Sequence, residues 1–184
     1  GFGAFREAAD LLHEFRTAVS VDGREVRRPE AARETLTMGI TGRDDRLLRR
    51  MLRQFEQLGI EAVATDFGLM VLLFERRQLD DYEFTLLGER FVGADRAIVL
   101  RYQQLKGPDA VTIFEGRKAV KAPLEGELWV RTSDYLPLRV TVTVAMETSG
   151  LSTRHHGVIE YFPSKYGLVL PASVRYEKTI NGQK

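Results

Sequence analysis

Alternation of apolar and polar residues between Glu127 and Phe162 constrains the fold more than any other feature of the sequence. Five apolar residues occupy every second position of one run, namely Leu138, Val140, Val142, Val144 and Met146. The intervening positions are polar or small, namely Arg139, Thr141, Thr143, Ala145 and Glu147. Because successive side chains of a β-strand point to opposite faces, this pattern predicts an antiparallel sheet with one apolar face.

Similar runs continue over most of the chain after Asp81. We predict seven strands, at residues 82–92, 96–105, 110–115, 127–132, 138–146, 157–162 and 168–180. The connections between them are short, whereas parallel pairing requires crossovers of about a dozen residues or more. We therefore expect an antiparallel meander. Pro171, inside the last run, predicts an edge strand or a β-bulge, because proline has no N–H for a ladder hydrogen bond.

Asp22 and Gly23 lie between two extendable runs in the N-terminal part of the sequence. This dipeptide favours a type I′ turn, in which both central residues need a positive φ. We therefore predict a β-hairpin around these two residues.

A helix is predicted at residues 43–58. Thr41 to Asp44 has the form of a capping box, leucine, methionine and phenylalanine residues follow at helical spacing, and Gly59 suits the position after the helix. The outer face of this helix carries arginines, including Arg46, Arg49 and Arg53. A solvated face is the simpler interpretation, and a contact for anionic lipid headgroups or an acidic partner is the alternative.

Residues 63–74 form a short apolar segment that is either a second helix or a buried strand, since periodicity does not decide between these for short runs. We favour a helix because Phe67, Met70, Val71 and Phe74 would share one helical face. The run is far too short to span a bilayer.

Composition excludes several classes of function. The 27 Lys and Arg residues nearly balance 26 Asp and Glu residues, so the net charge of +1 gives no general attraction to nucleic acid. The chain has no cysteine, which excludes disulfides, thiolate nucleophiles and cysteine-ligated metals. A chain of 184 residues, 43% of them hydrophobic, is long enough for one domain with a core, and we predict one domain over residues 1–184.

The polar residues form no pattern typical of an active site. His155 and His156 are adjacent, so in a strand they would face opposite ways and make a poor metal chelate. None of the serines lies in a Gly-x-Ser-x-Gly motif. Trp129 shares a strand face with Glu127 and Arg131, and we interpret it as a packing residue whose indole N–H bonds one partner. We predict a protein that is not an enzyme and has no cofactor and no metal.

The order of motifs in the C-terminal half resembles a known superfamily. The run Gly126-Glu-Leu-Trp-Val-Arg-Thr-Ser-Asp-Tyr-Leu-Pro-Leu-Arg139 is followed by a long strand, then by Val-Ile-Glu-Tyr-Phe and Tyr-Gly-Leu-Val-Leu-Pro. This order is similar to the outer-membrane lipoprotein-sorting (LolA/LolB/RseB-like) superfamily. Arg131 departs from the aspartate common at that position. The N-terminal strands of the family have no match before the hairpin, as in a chain that lacks them.

The resemblance implies an α+β fold, in which helices 43–58 and 63–74 cover the concave face of a strongly curved, unclosed antiparallel barrel. It also implies an exported, periplasmic module that binds a lipid or a lipoprotein acyl chain and is at most peripheral to the membrane. The residues expected to line the ligand are Phe67, Met70, Phe74, Leu128, Val140, Val142 and Val144.

Two alternatives come from other functional classes. One is a protein-interaction or sensory domain of the cell envelope, which would contact its partner through Arg46, Arg49 and Arg53 or through an exposed sheet edge. The other is a purely structural domain of a larger envelope protein.

Overall fold

A computed structural model describes residues 18–26, 79–106, 111–115, 118–148, 150–163 and 169–182, together with positions 53, 55, 57, 58 and 74. These residues form ten strands and one short 3-10 helix, Leu79–Asp81. The strands are β1 (Ser20–Val21), β2 (Arg24–Glu25), β3 (Tyr82–Val92), β4 (Asp95–Gln104), β5 (Val111–Glu115), β6 (Lys118–Ala122), β7 (Glu125–Arg131), β8 (Pro137–Thr148), β9 (Leu151–Pro163) and β10 (Val169–Ile180). Among the described residues, no helix is long and apolar enough to cross a membrane.

The main sheet has six antiparallel strands in the order β10-β9-β8-β7-β4-β3. Its first and last strands do not pair with each other, so the sheet is unclosed. The predicted antiparallel sheet is therefore confirmed. The meander is interrupted once, because β5 and β6 form a separate two-stranded sheet and β7 returns to pair with β4. Strand β6 was not among the predicted strands.

The predicted α+β fold, with helices covering a concave face, is wrong for the part of the chain that the structure describes. The elements with described bounds there are strands and the 3-10 helix Leu79–Asp81, and no α-helix among them covers a face of the sheet. Positions 53, 55 and 57 have helical backbone and Phe74 lies in a 3-10 turn, whereas the rest of the predicted helices at 43–58 and 63–74 lies outside the described residues. The placement of helices over a concave face came from the resemblance to the superfamily, whereas the long period-two alternation that the sheet follows concerns the strands alone.

Contacts divide the chain into two compact units, Gly1–Ala64 with Phe114–Ala119, and Thr65–Ile113 with Val120–Lys184. The six-stranded sheet lies entirely within the second unit. Whether the chain forms one domain stays a prediction.

The N-terminal hairpin is confirmed at the predicted turn. Asp22 and Gly23 both have positive φ, 49° and 75°, and Ser20 pairs with Glu25 across β1 and β2. The Val26 N–H donates to the carbonyl of Val19 at 2.8 Å, which extends the ladder by one bond.

Three β-bulges interrupt the six-stranded sheet, between Leu86 and Gly88, Trp129 and Val130, and Pro171 and Ser173. Gly88 has a φ of 105°, a conformation that side-chain-bearing residues rarely adopt. Pro171 lies on the outer strand β10 and beside a bulge, so both of the alternatives predicted for it hold.

Candidate functional site

One row of aliphatic side chains crosses the whole sheet on a single face. Residues directly opposite each other in an antiparallel ladder point to the same face, and the observed registers place one aliphatic residue from each strand in line. We term this set the aliphatic row: Leu86, Leu100, Leu128, Val140, Ile159 and Val174.

The aliphatic row is buried at its centre and reaches solvent toward β3. Val140 and Ile159 have 0% of their surface exposed, Leu100 and Leu128 are half-buried, and Leu86 is 67% exposed. A second pair on this face, Ile98 opposite Val130, is also half-buried. On this face, β3, β4 and β7 carry five aliphatic residues that are exposed or half-buried. We term them the accessible half: Leu86, Ile98, Leu100, Leu128 and Val130.

The structure brings together four of the predicted ligand-lining residues on this face, namely Leu128, Val140, Val142 and Val144. Val140 and Val144 are covered by protein, with 0% and 2% of their surface exposed, whereas Leu128 and Val142 are half-buried. Phe67 and Met70 lie outside the described residues.

The part of this face that belongs to β3 and β4 was not identified from the sequence. Both strands were predicted, and their registers place Leu86, Ile98 and Leu100 beside Leu128 and Val130. The alternation along residues 96–105 would have assigned Ile98 and Leu100 to one face. The bulge near Gly88 reverses the alternation within β3, so a strict period of two does not identify all of the residues of β3 on that face.

An aromatic cluster adjoins the aliphatic row. The Phe74 ring lies 4.8 Å from the ring of Tyr102 and 5.7 Å from that of Tyr82, and Phe84 completes the group at 6.1 Å from Phe74. The three contacts are tilted or edge-to-face, which are the favourable geometries for aromatic pairs. Phe74, predicted to line a ligand, therefore packs on the part of this face that β3 and β4 form.

Tyr102 anchors this cluster through a hydrogen bond that depends on a glycine. The side chain is 0% exposed, and its hydroxyl donates to the carbonyl of Thr141 at 2.7 Å. A Cβ at Gly126 would lie 1.9 Å from that carbonyl oxygen and 3.0 Å from the hydroxyl, so only glycine fits. Burial raises the pKa of Tyr102 well above its ordinary value of 10.0, so this hydroxyl remains protonated and able to donate.

The opposite face carries a polar ladder around Trp129. Its indole N–H donates to Glu127 at 2.9 Å, the guanidinium of Arg139 lies 4.7 Å from the ring centre, and Arg139 pairs with Glu160 at 2.8 Å. The indole N–H therefore has one partner, as predicted for a packing residue. This ring contact is typical of a cation–π interaction between cross-strand neighbours.

Arg131 organises the turn between β7 and β8. Its guanidinium pairs with Asp134 at 2.8 Å and lies 3.6 Å from Asp95. The hydrogen bond from Arg131 holds the pKa of the Asp134 carboxyl below its usual value, and the Leu136 N–H, donating at 3.2 Å, acts in the same direction. These contacts stabilise a tight turn in which Tyr135 has a φ of 59°.

The two adjacent histidines point to opposite faces, as predicted. His155 hydrogen-bonds the hydroxyl of Tyr176 at 2.5 Å, and His156 hydrogen-bonds the hydroxyl of Thr143 at 3.0 Å. No group of three or more potential metal ligands comes together within the part of the chain that the structure describes.

The predicted partner-contact arginines fall largely outside the described residues. Arg53 is exposed at a position with helical backbone, and Arg46 and Arg49 are not described. A shared arginine face therefore stays a prediction.

Comparison with known proteins found no matching family model, no similar curated protein and no similar solved structure. The resemblance to the lipoprotein-sorting superfamily therefore stays a prediction. The candidate site rests on the geometry of the sheet alone.

Proposed function

We propose that this protein is a non-enzymatic module that binds a hydrophobic ligand, a lipid or a lipoprotein acyl chain, on the accessible half. The observation that carries the proposal is that Leu86 is 67% exposed and the other four residues of the accessible half are only half-buried, in direct continuity with the buried core. Contiguous apolar surface of this kind is typical of ligand-binding and partner-binding sites.

The register supports an elongated apolar ligand. Leu86, Leu100 and Leu128 lie on three neighbouring strands, so the line they form is about 10 Å long at the usual strand spacing. Burial of each methylene contributes about 0.8 kcal/mol, and six methylenes would supply about 5 kcal/mol before the entropic cost of binding. A longer chain would have to displace the residues that cover Val140 and Ile159.

The rim of the accessible half suits the polar end of such a ligand. Glu89 lies opposite Ile98 across β3 and β4, and it forms an ion pair with Arg96. A charged pair at the end of an apolar strip would keep a headgroup hydrated while the chain contacts the leucines.

Native mass spectrometry of gently purified protein, followed by organic extraction, tests the proposal. We expect an adduct whose extracted component contains an acyl chain, and uptake of a fluorescent fatty acid by protein stripped of lipid. A bare mass together with no uptake of the fatty acid would refute it.

Matched substitutions locate the site. Leu86→Gln and Leu100→Gln should each lower fatty-acid affinity about tenfold, the factor expected when roughly 1.4 kcal/mol of apolar contact is lost. Thr85→Gln and Arg101→Gln are the controls, because each changes an exposed neighbour on the opposite face of the same strand. Equal effects of the test and control substitutions would place the ligand elsewhere.

An exported location is proposed from the family resemblance alone. Fractionation of cells that make the full-length protein, with detection in the envelope fraction, tests it.

A further inference from the structure

Strand β3 has an outer edge that no described strand covers. It pairs with β4 on one side, and it is the last strand of the sheet. It is eleven residues long and contains no proline. Outer strands of monomeric proteins are usually protected by proline, charge, shortness or a β-bulge, because their free peptide groups can pair with another chain. Of these devices, β3 has charged residues and a bulge but no proline. The other outer strand, β10, contains Pro171 and is better protected in this respect.

The bulge in β3 makes this edge self-complementary. Before the bulge, Tyr82, Phe84 and Leu86 lie on the face that carries the aliphatic row, which we term the apolar face. After it the alternation is reversed, so Glu89 and Phe91 lie there instead. Two copies of β3 can therefore pair antiparallel with the segment before the bulge of each copy opposite the segment after the bulge of the other. In this arrangement, directly opposite residues lie on the same face of the joined sheet. A two-fold axis between Leu86 and Leu87 brings the two bulges together at the axis and leaves regular strand on both sides.

Opposite charges also face each other in this register. Glu83 falls opposite Arg90 of the second copy on the polar face, and Tyr82 falls opposite Phe91 on the apolar face. Glu83 and Arg90 are exposed and Phe91 is 71% exposed, whereas Tyr82 is 8% exposed. The two-fold axis repeats the charged contact, which gives two ion pairs. Opposite charges and aromatic pairs at directly facing positions stabilise antiparallel strands.

We propose that the outer edge of β3 is a self-association surface, on which a second copy of this chain pairs antiparallel about a two-fold axis between Leu86 and Leu87. This pairing is isologous and therefore closes at two copies. It does not depend on the proposed hydrophobic ligand.

Sedimentation velocity of the full chain between about 1 and 100 μM tests the proposal. We expect a concentration-dependent monomer–dimer equilibrium. Glu83→Arg alone, or Arg90→Glu alone, places two like-charge pairs at the interface and should raise the dimer dissociation constant about tenfold or more. The double variant, Glu83→Arg with Arg90→Glu, restores opposite charges and should restore dimerisation.

Two controls make the result decisive. Arg175→Glu changes an exposed residue on the other outer strand, β10, and should leave the dimer unchanged. Thermal unfolding followed by circular dichroism shows whether each variant is folded. A wild-type protein that stays monomeric over the whole range overturns the proposal. So does a dimer that resists both single variants, or one that the β10 variant abolishes.

Discussion

Among the described glycines, Gly126 is the one at which an added Cβ would meet the closest neighbouring atom. Its Cα lies so close to β8 that an added Cβ would be 1.9 Å from the backbone oxygen of Thr141. Gly126→Ala should therefore lower the free energy of unfolding by about 3 kcal/mol, the upper end for overpacking, as measured by urea denaturation. Gly157→Ala is the control, because a Cβ added there would have Cβ of Val142 as its nearest neighbour, at an ordinary 4.0 Å. A Gly126→Ala protein as stable as the control would contradict the proposed close approach.

Removal of the Tyr102 hydroxyl tests the hydrogen bond on which the aromatic cluster depends. Tyr102→Phe keeps the ring and leaves the Thr141 carbonyl without this donor. We expect a loss of about 1–3 kcal/mol in the free energy of unfolding, because a buried polar group would lose its partner. Tyr135→Phe should have almost no effect, since that side chain is 72% exposed. Equal effects of the two substitutions would show that the bond contributes nothing.

At the scale of single elements, the turn between β7 and β8 should respond to acid. The pKa of Asp134 is lowered in the folded protein, chiefly by the hydrogen bond from Arg131. A lowered pKa means that its stabilisation is present above the ordinary carboxyl pKa of about 4 and is lost as the pH falls through the folded value. An NMR titration should show the Asp134 carboxyl protonating below that ordinary value.

Arg131→Gln should move this titration back toward the ordinary value, because the main cause of the shift is removed. Arg154→Gln, an exposed change on β9, should leave it unchanged. If Asp134 titrates identically in both variants, the Arg131 contact does not control the carboxyl.

Strands with regular alternation could be predicted closely from the sequence, whereas those defined by pairing could not. The predicted strand at 138–146 lies within Pro137–Thr148, and the Asp22-Gly23 turn has the required positive φ at both positions. Strand β9 begins at Leu151 rather than at the predicted position 157. Its first six residues are mostly polar, and they are extended because they pair with β8 from Thr143 to Thr148.

The candidate site was only partly predictable for a related reason. Alternation identified Leu128, Val140, Val142 and Val144 as one face, because all four lie on two strands with clear period-two patterns. The same signal does not reveal which of these residues are covered. Burial depends on long-range packing, and the face continues onto β3 across a bulge that reverses the alternation.

For the whole molecule, ligand binding and stability should be linked. A ligand that binds only the folded state stabilises it by mass action, by about 2.7 kcal/mol at a concentration one hundred times the dissociation constant. We expect a saturating fatty acid to raise the unfolding temperature of the wild-type protein and to have a smaller effect on Leu100→Gln. Arg101→Gln should respond as the wild type does. A uniform shift in all three would indicate binding away from the accessible half.

The insertion of β5 and β6 between β4 and β7 has a consequence for the order of folding. Strands β3 and β4, and strands β7 to β10, are joined by short connections and can form as local units. The pairing of β4 with β7 joins Tyr102 to Gly126 and Ala97 to Arg131, so it must close a loop of more than twenty residues. Contacts between distant parts of a chain form late and slow the rate of folding. The Tyr102–Thr141 hydrogen bond also connects these two local units. It should therefore form in the last step of folding, when the sheet is completed.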